Sequence, residues 1–264
     1  MSVALPGDQM KEHIVKWIQD YFLQNGPDSM AVIGISGGKD SSVVAALCVE
    51  ALGKDRVLGV KMPQGTQHDI DYANKLIEHL GIGHVEINIG STVEALYSAI
   101  DIGYDYDHCC KNNPVVSSNT PARIRMATLY AISALVGGRV ANTCNRSEDY
   151  IGYSTKYGDS AGDFSPLANY TVEEVLLIGE ACDLPDYLVE KVPEDGLSGK
   201  TDEDNLGFTY KELDNYILRG IRPEYSKFVK INQLHERNKH KVRQMPKCPL
   251  HFSSAPGRDG ELPF

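Results

Sequence analysis

The hydrophobic positions of this chain follow two alternating periods, which predict helices and strands in turn. Between Met10 and Phe22 the apolar residues recur at helical spacing and predict an amphipathic first helix that ends near Asn25-Gly26-Pro27. Short apolar runs rich in β-branched residues, each ended by turn residues, are typical of buried strands. The predicted strands are residues 31–35, 56–62, 85–89 and 139–143.

Helical patterns separate these strands and continue after the last of them. One helix follows the first strand, and another is predicted to open at Asn119-Thr120-Pro121, with Asn or Thr as the cap and Pro in the first turn. The other predicted helices are residues 69–80, 92–100, 171–182, 209–218 and 223–239. Strands that alternate with helices predict an α/β fold, a doubly wound parallel sheet flanked by helices. The length of 264 residues fits a single domain over residues 1–264.

The turn after the first strand, residues 36–41, reads Ser-Gly-Gly-Lys-Asp-Ser and is typical of a phosphate site. Its glycines let the backbone approach an anion closely, and the following helix N-terminus attracts negative charge. It differs from the common phosphate loop G-x-x-x-x-G-K-[ST], because only three residues lie between Gly34 and Gly38. Asp40 beside a phosphate requires a cation such as Mg²⁺ between them. A glycine turn that binds no nucleotide is the alternative interpretation.

Ligands of parallel sheets bind beyond the carboxyl ends of the strands. The turns at 36–41, 62–67 and 143–148 are all polar and therefore predict one nucleotide cleft at that edge. Residues 192–206 are rich in Gly, Asp and Glu, which predicts a mobile loop, either a lid over the cleft or a solvated connector.

Composition and charge exclude several classes of protein. The net charge of −10 argues against general nucleic-acid binding, which needs a basic face. No run approaches the roughly 18 apolar residues of a membrane span, and the first residues do not form a secretory signal. The six cysteines lack C-x-x-C spacing, so we expect free thiols, including the vicinal Cys109-Cys110, in a cytoplasmic protein.

The SGGxDS pattern resembles the loop of the ATP pyrophosphatase superfamily, whose fold is adenine nucleotide alpha hydrolase-like. Residues 119–126, 142–148, 155–163 and 239–246 are similar, in this order, to the motif series of the NAD⁺ synthetase family. The resemblance covers about residues 10–250. It implies a ligase of NAD biosynthesis. In that family ATP adenylates the carboxylate of nicotinic acid adenine dinucleotide (deamido-NAD), and ammonia then gives NAD⁺, with release of AMP and pyrophosphate.

The resemblance also implies roles for single residues. The implied ATP-binding residues are Gly34, Ile35, Ser36, Gly37, Gly38, Lys39, Asp40, Ser41 and Thr143. The implied ligands of Mg²⁺ are Asp40 and Glu148. The implied contacts to deamido-NAD are Arg123, Lys156, Asp163, His240 and Lys241. The implied catalytic residues are Asp40 and Lys156, with Asp159 as a candidate base for ammonium.

The chain departs from the family pattern at a few positions. The family usually has a Lys at Val172 and a Ser or Thr near Glu194, so either the alignment shifts locally or ATP is held differently here, with Lys39 supplying part of the charge. Pro121 replaces a common Gln.

The length leaves no room for an amidase domain, so we expect free ammonia as donor unless a separate subunit supplies it. The family also implies a homodimer.

Three other interpretations remain open. A tRNA-thiolating enzyme on the same scaffold is disfavoured by the acidic charge and the missing C-x-x-C. The amination domain of GMP synthetase is disfavoured by the motifs at 119–126 and 155–163. A non-catalytic nucleotide sensor would need the loop, but not Asp40, Glu148 and Lys156 together.

Overall fold

A parallel sheet of four strands lies at the centre of the fold, with the strand order β3-β2-β1-β4. The structure is a computed structural model that describes residues 7–66, 70–103, 110–189 and 201–248. The strands are β1 (Ala31–Gly34), β2 (Val57–Lys61), β3 (Gly83–Glu86) and β4 (Arg139–Val140). The chain builds outward from β1 to β3 and then returns to the other side of β1. The switch point of the topology therefore lies between the carboxyl ends of β1 and β4, where ligands of such sheets bind.

Helices surround the sheet and build a further lobe at its carboxyl edge. They are α1 (Gly7–Asn25), α2 (Lys39–Leu52), α3 (Ile70–Leu80), α4 (Gly90–Gly103), α5 (Pro114–Val136), α6 (Arg146–Ile151), α7 (Val172–Ala181), α8 (Asp186–Val189), α9 (Asp202–Leu206), α10 (Tyr210–Arg219) and α11 (Tyr225–Asn238).

Successive residues of β1 face two different cores, because side chains of a strand alternate between the faces of the sheet. Ala31 and Ile33 belong to the core formed with α1, α2, α3 and α7, whereas Val32 belongs to the core formed with α4 and α5. Helices thus cover both faces, and the predicted doubly wound α/β fold is confirmed. A third core, which includes Ile151, Phe208 and Ile231, joins α6 to α9, α10 and α11.

Three local predictions differ from the structure. The helix predicted to open at Asn119-Thr120-Pro121 begins earlier, because Asn113 caps it by accepting hydrogen bonds from Val115 N and Val116 N, with Pro114 in the first turn. The predicted strand 85–89 is observed as β3, which begins two residues earlier, at Gly83, and ends at Glu86. Residues 192–200 of the predicted lid lie outside the described residues, and its last five residues form α9 rather than a loop.

No helix in the described part of the chain combines the length and the apolar composition that crossing a bilayer requires.

Candidate active site

The loop between β1 and α2 forms a cradle that its own side chains support. Gly38 N donates to Ser36 Oγ (3.2 Å), and the hydroxyls of Ser36 and Ser41 lie 3.1 Å apart. Gly37 has φ of +77°, and a Cβ there would lie 2.7 Å from the Tyr72 Cβ of α3. Gly37 is therefore required by the backbone and by close packing against α3.

A cavity of about 180 Å³ lies in front of this loop, at the switch point of the sheet. Its walls bring together predicted residues from three parts of the chain. They include Gly38, Asp40, Ser41, Thr143, Glu148 and Asp159.

Asn145 joins the two carboxylates that the sequence assigns to a cation. Its Nδ2 donates to Asp40 Oδ1 (2.9 Å), and its Oδ1 accepts from Glu148 N (3.0 Å). Glu148 Oε2 in turn accepts from Asn145 N (3.1 Å), which completes a capping box at the start of α6. Sequence reasoning missed Asn145, although an Asn followed three residues later by Glu is the signature of such a cap. One side chain therefore both starts the helix and sets the spacing of Asp40 and Glu148.

Lys39 lies behind these carboxylates. Its side chain is only 6% exposed, and Nζ is 2.7 Å from Asp40 Oδ2. Burial by itself lowers the pKa of Lys39, but the charges of Asp40 and Glu148 more than offset it, so the pKa is raised overall. The ammonium group is therefore charged and orients Asp40 in this structure. Its predicted contact with ATP remains a prediction.

The carboxyl groups at the cavity repel one another in surroundings poor in water. Burial, and then the charge of Asp40, raises the pKa of Glu148 well above its usual range. Asp159 is exposed at the cavity, but the surrounding protein partly desolvates its carboxyl and raises its pKa. A cation between such groups relieves the repulsion, which favours cation binding here.

The carboxyl group of Asp149, the next residue after Glu148, should make the stability of the protein depend on pH. Desolvation, and then the charge of Asp159, raises the pKa of Asp149 from 3.8 to about 6. The folded protein thus favours the protonated acid, and this contribution to stability is lost as the pH rises through about 6. We expect Asp149→Asn to raise Tm at about pH 7.5 and to lose this advantage toward about pH 4. Thermal melts across the pH range check this, and an equal gain at both ends would contradict it.

A second, larger cavity of about 540 Å³ is lined by Asp159 and, among the predicted substrate residues, by Lys241 alone. Arg123 Nε donates to Lys156 O (3.2 Å), and Lys156 Nζ donates to His240 O (2.9 Å). Lys241 Nζ donates to the carbonyl oxygens of Gly152 (2.8 Å) and Ser154 (2.9 Å), and these two residues also line the cavity. The four predicted residues 123, 156, 240 and 241 thus form one connected group beside it. Because Asp159 lines both cavities, the two are adjacent.

Asp163 lies apart from this group. Its carboxylate accepts hydrogen bonds from Val140 N (2.7 Å) and from the Tyr130 hydroxyl (3.2 Å), which places it beside β4 and α5. It lines neither of the two cavities. Within the described residues its contacts are structural, and its role toward deamido-NAD remains a prediction.

Val172, where the family usually has a Lys, is the first residue of α7 and is 8% exposed. Its side chain belongs to the core that also contains Ile151 and Phe208. Its backbone N donates to Ser147 Oγ (3.1 Å). A valine fits this apolar position, so the departure from the family pattern agrees with local packing. The second departure, Glu194, lies outside the described residues.

Comparisons with known proteins point in the same direction. The family model described as NAD synthase matches residues 10–249. The chain is 39% identical to an NH(3)-dependent NAD(+) synthetase of Pyrococcus furiosus over 84% of either chain. Among solved structures it is similar to the NMN synthetase from Francisella tularensis, with a TM-score of 0.84, 32% identity and coverage of 93% and 100%. The NH3-dependent NAD synthetase from Campylobacter jejuni, in complex with the nitrate ion, gives a TM-score of 0.73, 28% identity and coverage of 94% and 100%.

Proposed function

This chain belongs to the NAD synthase family, and on that premise we propose that it is an ammonia-dependent NAD⁺ synthetase. It adenylates deamido-NAD with ATP and converts the adenylate to NAD⁺ with ammonia. The observation that carries the proposal is the bond from Asn145 Nδ2 to Asp40 Oδ1 (2.9 Å), which unites the loop after β1 with the loop after β4. That union sets two carboxylates beside a phosphate cradle.

The donor set fits a magnesium ion bound together with a nucleotide. Mg²⁺ in nucleotide sites is held by one or two carboxylates, and phosphate oxygens and water complete its shell. Asp40 and Glu148 line the smaller cavity together, and among the described residues no group of three or more His, Cys, Asp or Glu could hold a metal by itself. Asp40 and Glu148 would hold the ion, and phosphates would supply the rest. When bound, it neutralises charge on the α-phosphate and on the departing pyrophosphate.

Other residues would bind the triphosphate, bind the dinucleotide and act as the base for ammonium. The amides of the loop and the N-terminus of α2 bind the triphosphate. Lys241 lines the larger cavity, and Lys156 is bonded to the carbonyl oxygen of the neighbouring His240. These positive charges suit a substrate that carries two phosphates and a carboxylate. Asp159 lines both cavities and has a raised pKa. It therefore lies between the proposed nucleotide and dinucleotide positions, where a base for ammonium is needed.

The test is a product assay with ATP, Mg²⁺, deamido-NAD and ammonium, with glutamine as a parallel nitrogen donor. We expect NAD⁺, AMP and pyrophosphate to form together with ammonium. If the deamido-NAD carboxylate carries ¹⁸O, one labelled oxygen must appear in AMP, because that oxygen attacks the α-phosphate. ADP instead of AMP, or no label in AMP, would exclude the adenylate route. Absence of turnover despite nucleotide binding would favour the sensor interpretation.

A second candidate substrate is the mononucleotide, nicotinic acid mononucleotide. It is favoured by the TM-score of 0.84 to a protein titled NMN synthetase, against 0.73 to the NH3-dependent NAD synthetase from C. jejuni. Comparison of kcat/KM for the mononucleotide and the dinucleotide, under identical ammonium and ATP, decides between them. Deamido-NAD is our first choice, and a higher kcat/KM for the mononucleotide would reverse the order.

The proposal also includes a homodimer and a cytoplasmic location. Apolar side chains remain exposed on α4 and α5, Leu135 most of all at 85%, and this supports a homodimer that covers part of this surface with a second copy. Light scattering over a concentration series should give twice the mass of one chain, and a single-chain mass throughout would contradict the dimer. A cytoplasmic location and one domain over residues 1–264 remain our predictions.

A further inference from the structure

Tyr210, the first residue of α10, has a buried hydroxyl group with no hydrogen-bond partner among the described residues. The residue is only 5% exposed. Buried tyrosine hydroxyls are nearly always paired, because an unpaired one loses its bonds to water without replacement. The unpaired hydroxyl therefore indicates a partner that becomes available in another state of the protein.

The surroundings of Tyr210 belong to the phosphate site. Lys39 Nζ lies 5.8 Å from the centre of the Tyr210 ring, and it is bonded to Asp40. Burial, and then the charge of Glu148 ahead of Asp202 and Asp40, raises the pKa of Tyr210. The ring thus lies beside the pair Lys39 and Asp40, of which Asp40 lines the smaller cavity, and among the charges Glu148 affects the hydroxyl most.

The two carboxylates of this wall are supported unequally. Asp40 accepts hydrogen bonds from both Lys39 and Asn145. Glu148 accepts one from Asn145 N at Oε2, and within the described residues Oε1 accepts none. Carboxylates that hold a cation are commonly oriented by further hydrogen bonds. Glu148 lacks such a donor on its second oxygen, and Tyr210 has an unused one.

The backbone around Tyr210 is held firmly. Its N donates to Glu203 Oε1 (2.8 Å), and Thr209 caps α10 by accepting from Glu212 N (3.1 Å). Further along α10, Asp214 Oδ2 accepts from Glu173 N at the start of α7 (2.8 Å). The backbone that carries the Tyr210 ring is therefore fixed, and a new hydrogen bond of its hydroxyl depends on adjustment of side chains.

We propose that Tyr210 is a positioning residue of the phosphate site, whose hydroxyl donates a hydrogen bond to the Glu148 carboxylate when a nucleotide and its cation occupy the smaller cavity. The bond holds Glu148 toward the cation, as Lys39 and Asn145 hold Asp40. The inference rests on the proposed function for the reaction that this site performs. The hydrogen bond itself needs only the bound nucleotide and cation.

The experiment compares wild type with Tyr210→Phe, which removes only the hydroxyl. Its matched control is Tyr216→Phe in the same helix, whose hydroxyl donates to Asn232 Oδ1 (3.4 Å) away from the site. For Tyr210→Phe we expect an unchanged or higher Tm without ligand, because the lost hydroxyl is unpaired. We expect kcat to fall about 10–100-fold with little change in KM for deamido-NAD. The rise in Tm with Mg²⁺ and a non-hydrolysable ATP analogue should also shrink.

The control variant should keep the ligand-induced rise in Tm and the kcat of wild type. A Tyr210→Phe protein with a wild-type rise and a wild-type kcat would overturn the inference. So would a ligand-free Tm below that of Tyr216→Phe, since the hydroxyl would then be paired in the free protein. If wild type forms no AMP but its Tm still rises with Mg²⁺ and the analogue, the proposed function fails. The inference about Tyr210 is then tested by comparing that rise in Tm between wild type and Tyr210→Phe. A wild type without any such rise would overturn both.

Discussion

Asp40→Asn should abolish turnover, with a fall in kcat of about a thousandfold or more, because it removes a charged ligand of the proposed cation at the phosphate cradle. The substitution preserves the shape of the side chain, removes its charge and replaces one of its two acceptor oxygens by an NH2 group. A non-catalytic sensor would instead show a change in nucleotide affinity alone. Rapid-quench measurement of AMP formation, together with equilibrium binding of ATP, separates the two results. Asp20→Asn is the matched control, since Asp20 pairs with Lys16 on the exposed face of α1.

Loss of stability must be separated from loss of chemistry in this variant. Asp40→Asn leaves the buried ammonium of Lys39 without its 2.7 Å partner, and an unpaired buried charge is strongly destabilising. The double variant Lys39→Gln with Asp40→Asn has no unpaired ammonium at this position. We expect it to regain most of the Tm but none of the turnover. Recovery of turnover together with Tm would show that Asp40 is structural and would contradict its role at the cation.

Gly37→Ala should strongly lower the stability of the protein. Its φ of +77° disfavours any residue with a Cβ, and that Cβ would lie 2.7 Å from Tyr72 Cβ and 2.8 Å from Ala73 N. Together these two effects should lower the free energy of unfolding by about 3 kcal/mol. Chemical denaturation of the ligand-free protein measures it. A loss below about 1 kcal/mol would show that the loop is not held against α3 as the structure has it.

Gly38→Ala is the matched companion of that variant. Gly38 has φ of −87°, and among the described residues a Cβ there would meet only Ser36 Oγ within 4 Å, at 3.3 Å. An alanine therefore fits the fold, but it adds a methyl group to the wall of the smaller cavity. We expect near-normal unfolding and ATP binding that is weaker by about a hundredfold. Normal ATP binding would show that phosphate does not approach the backbone at this residue.

Some residues of the candidate site are positioned by local sequence, and others by contacts between segments that are distant along the chain. The glycine turn and the meeting of the turns that carry Asp40 and Glu148 were predictable, because strand, turn and helix are local patterns and parallel strands end at one edge. Asn145 is far from Asp40 in sequence, so its bond to that residue depends on how the loops after β1 and β4 meet. Asp163 shows the reverse, since a residue within a recognised motif lies outside both cavities.

The boundaries of α5 show where a local signal is ambiguous. Two Asn and Pro combinations occur in this part of the chain, at Asn113-Pro114 and at Asn119-Thr120-Pro121, and both suit a helix start. The helix begins at the first of them, and Pro121 is buried within it. Packing of α5 against β1 and α4 supports the helix on both sides of the second combination, and a short window of sequence does not contain this energy.

Periodicity, turn residues and motif order were sufficient for the α/β fold, the family and the glycine turn after β1, because each depends on residues that are neighbours along the chain. The position of Lys39 beside the Tyr210 ring, the bridge through Asn145 and the lack of a partner for the Tyr210 hydroxyl among the described residues came only from the folded arrangement. Each of these features joins segments that are distant in sequence, so its geometry depends on how helices and loops pack. Packing is a cooperative property of the whole chain, and the chemistry of this site depends on it.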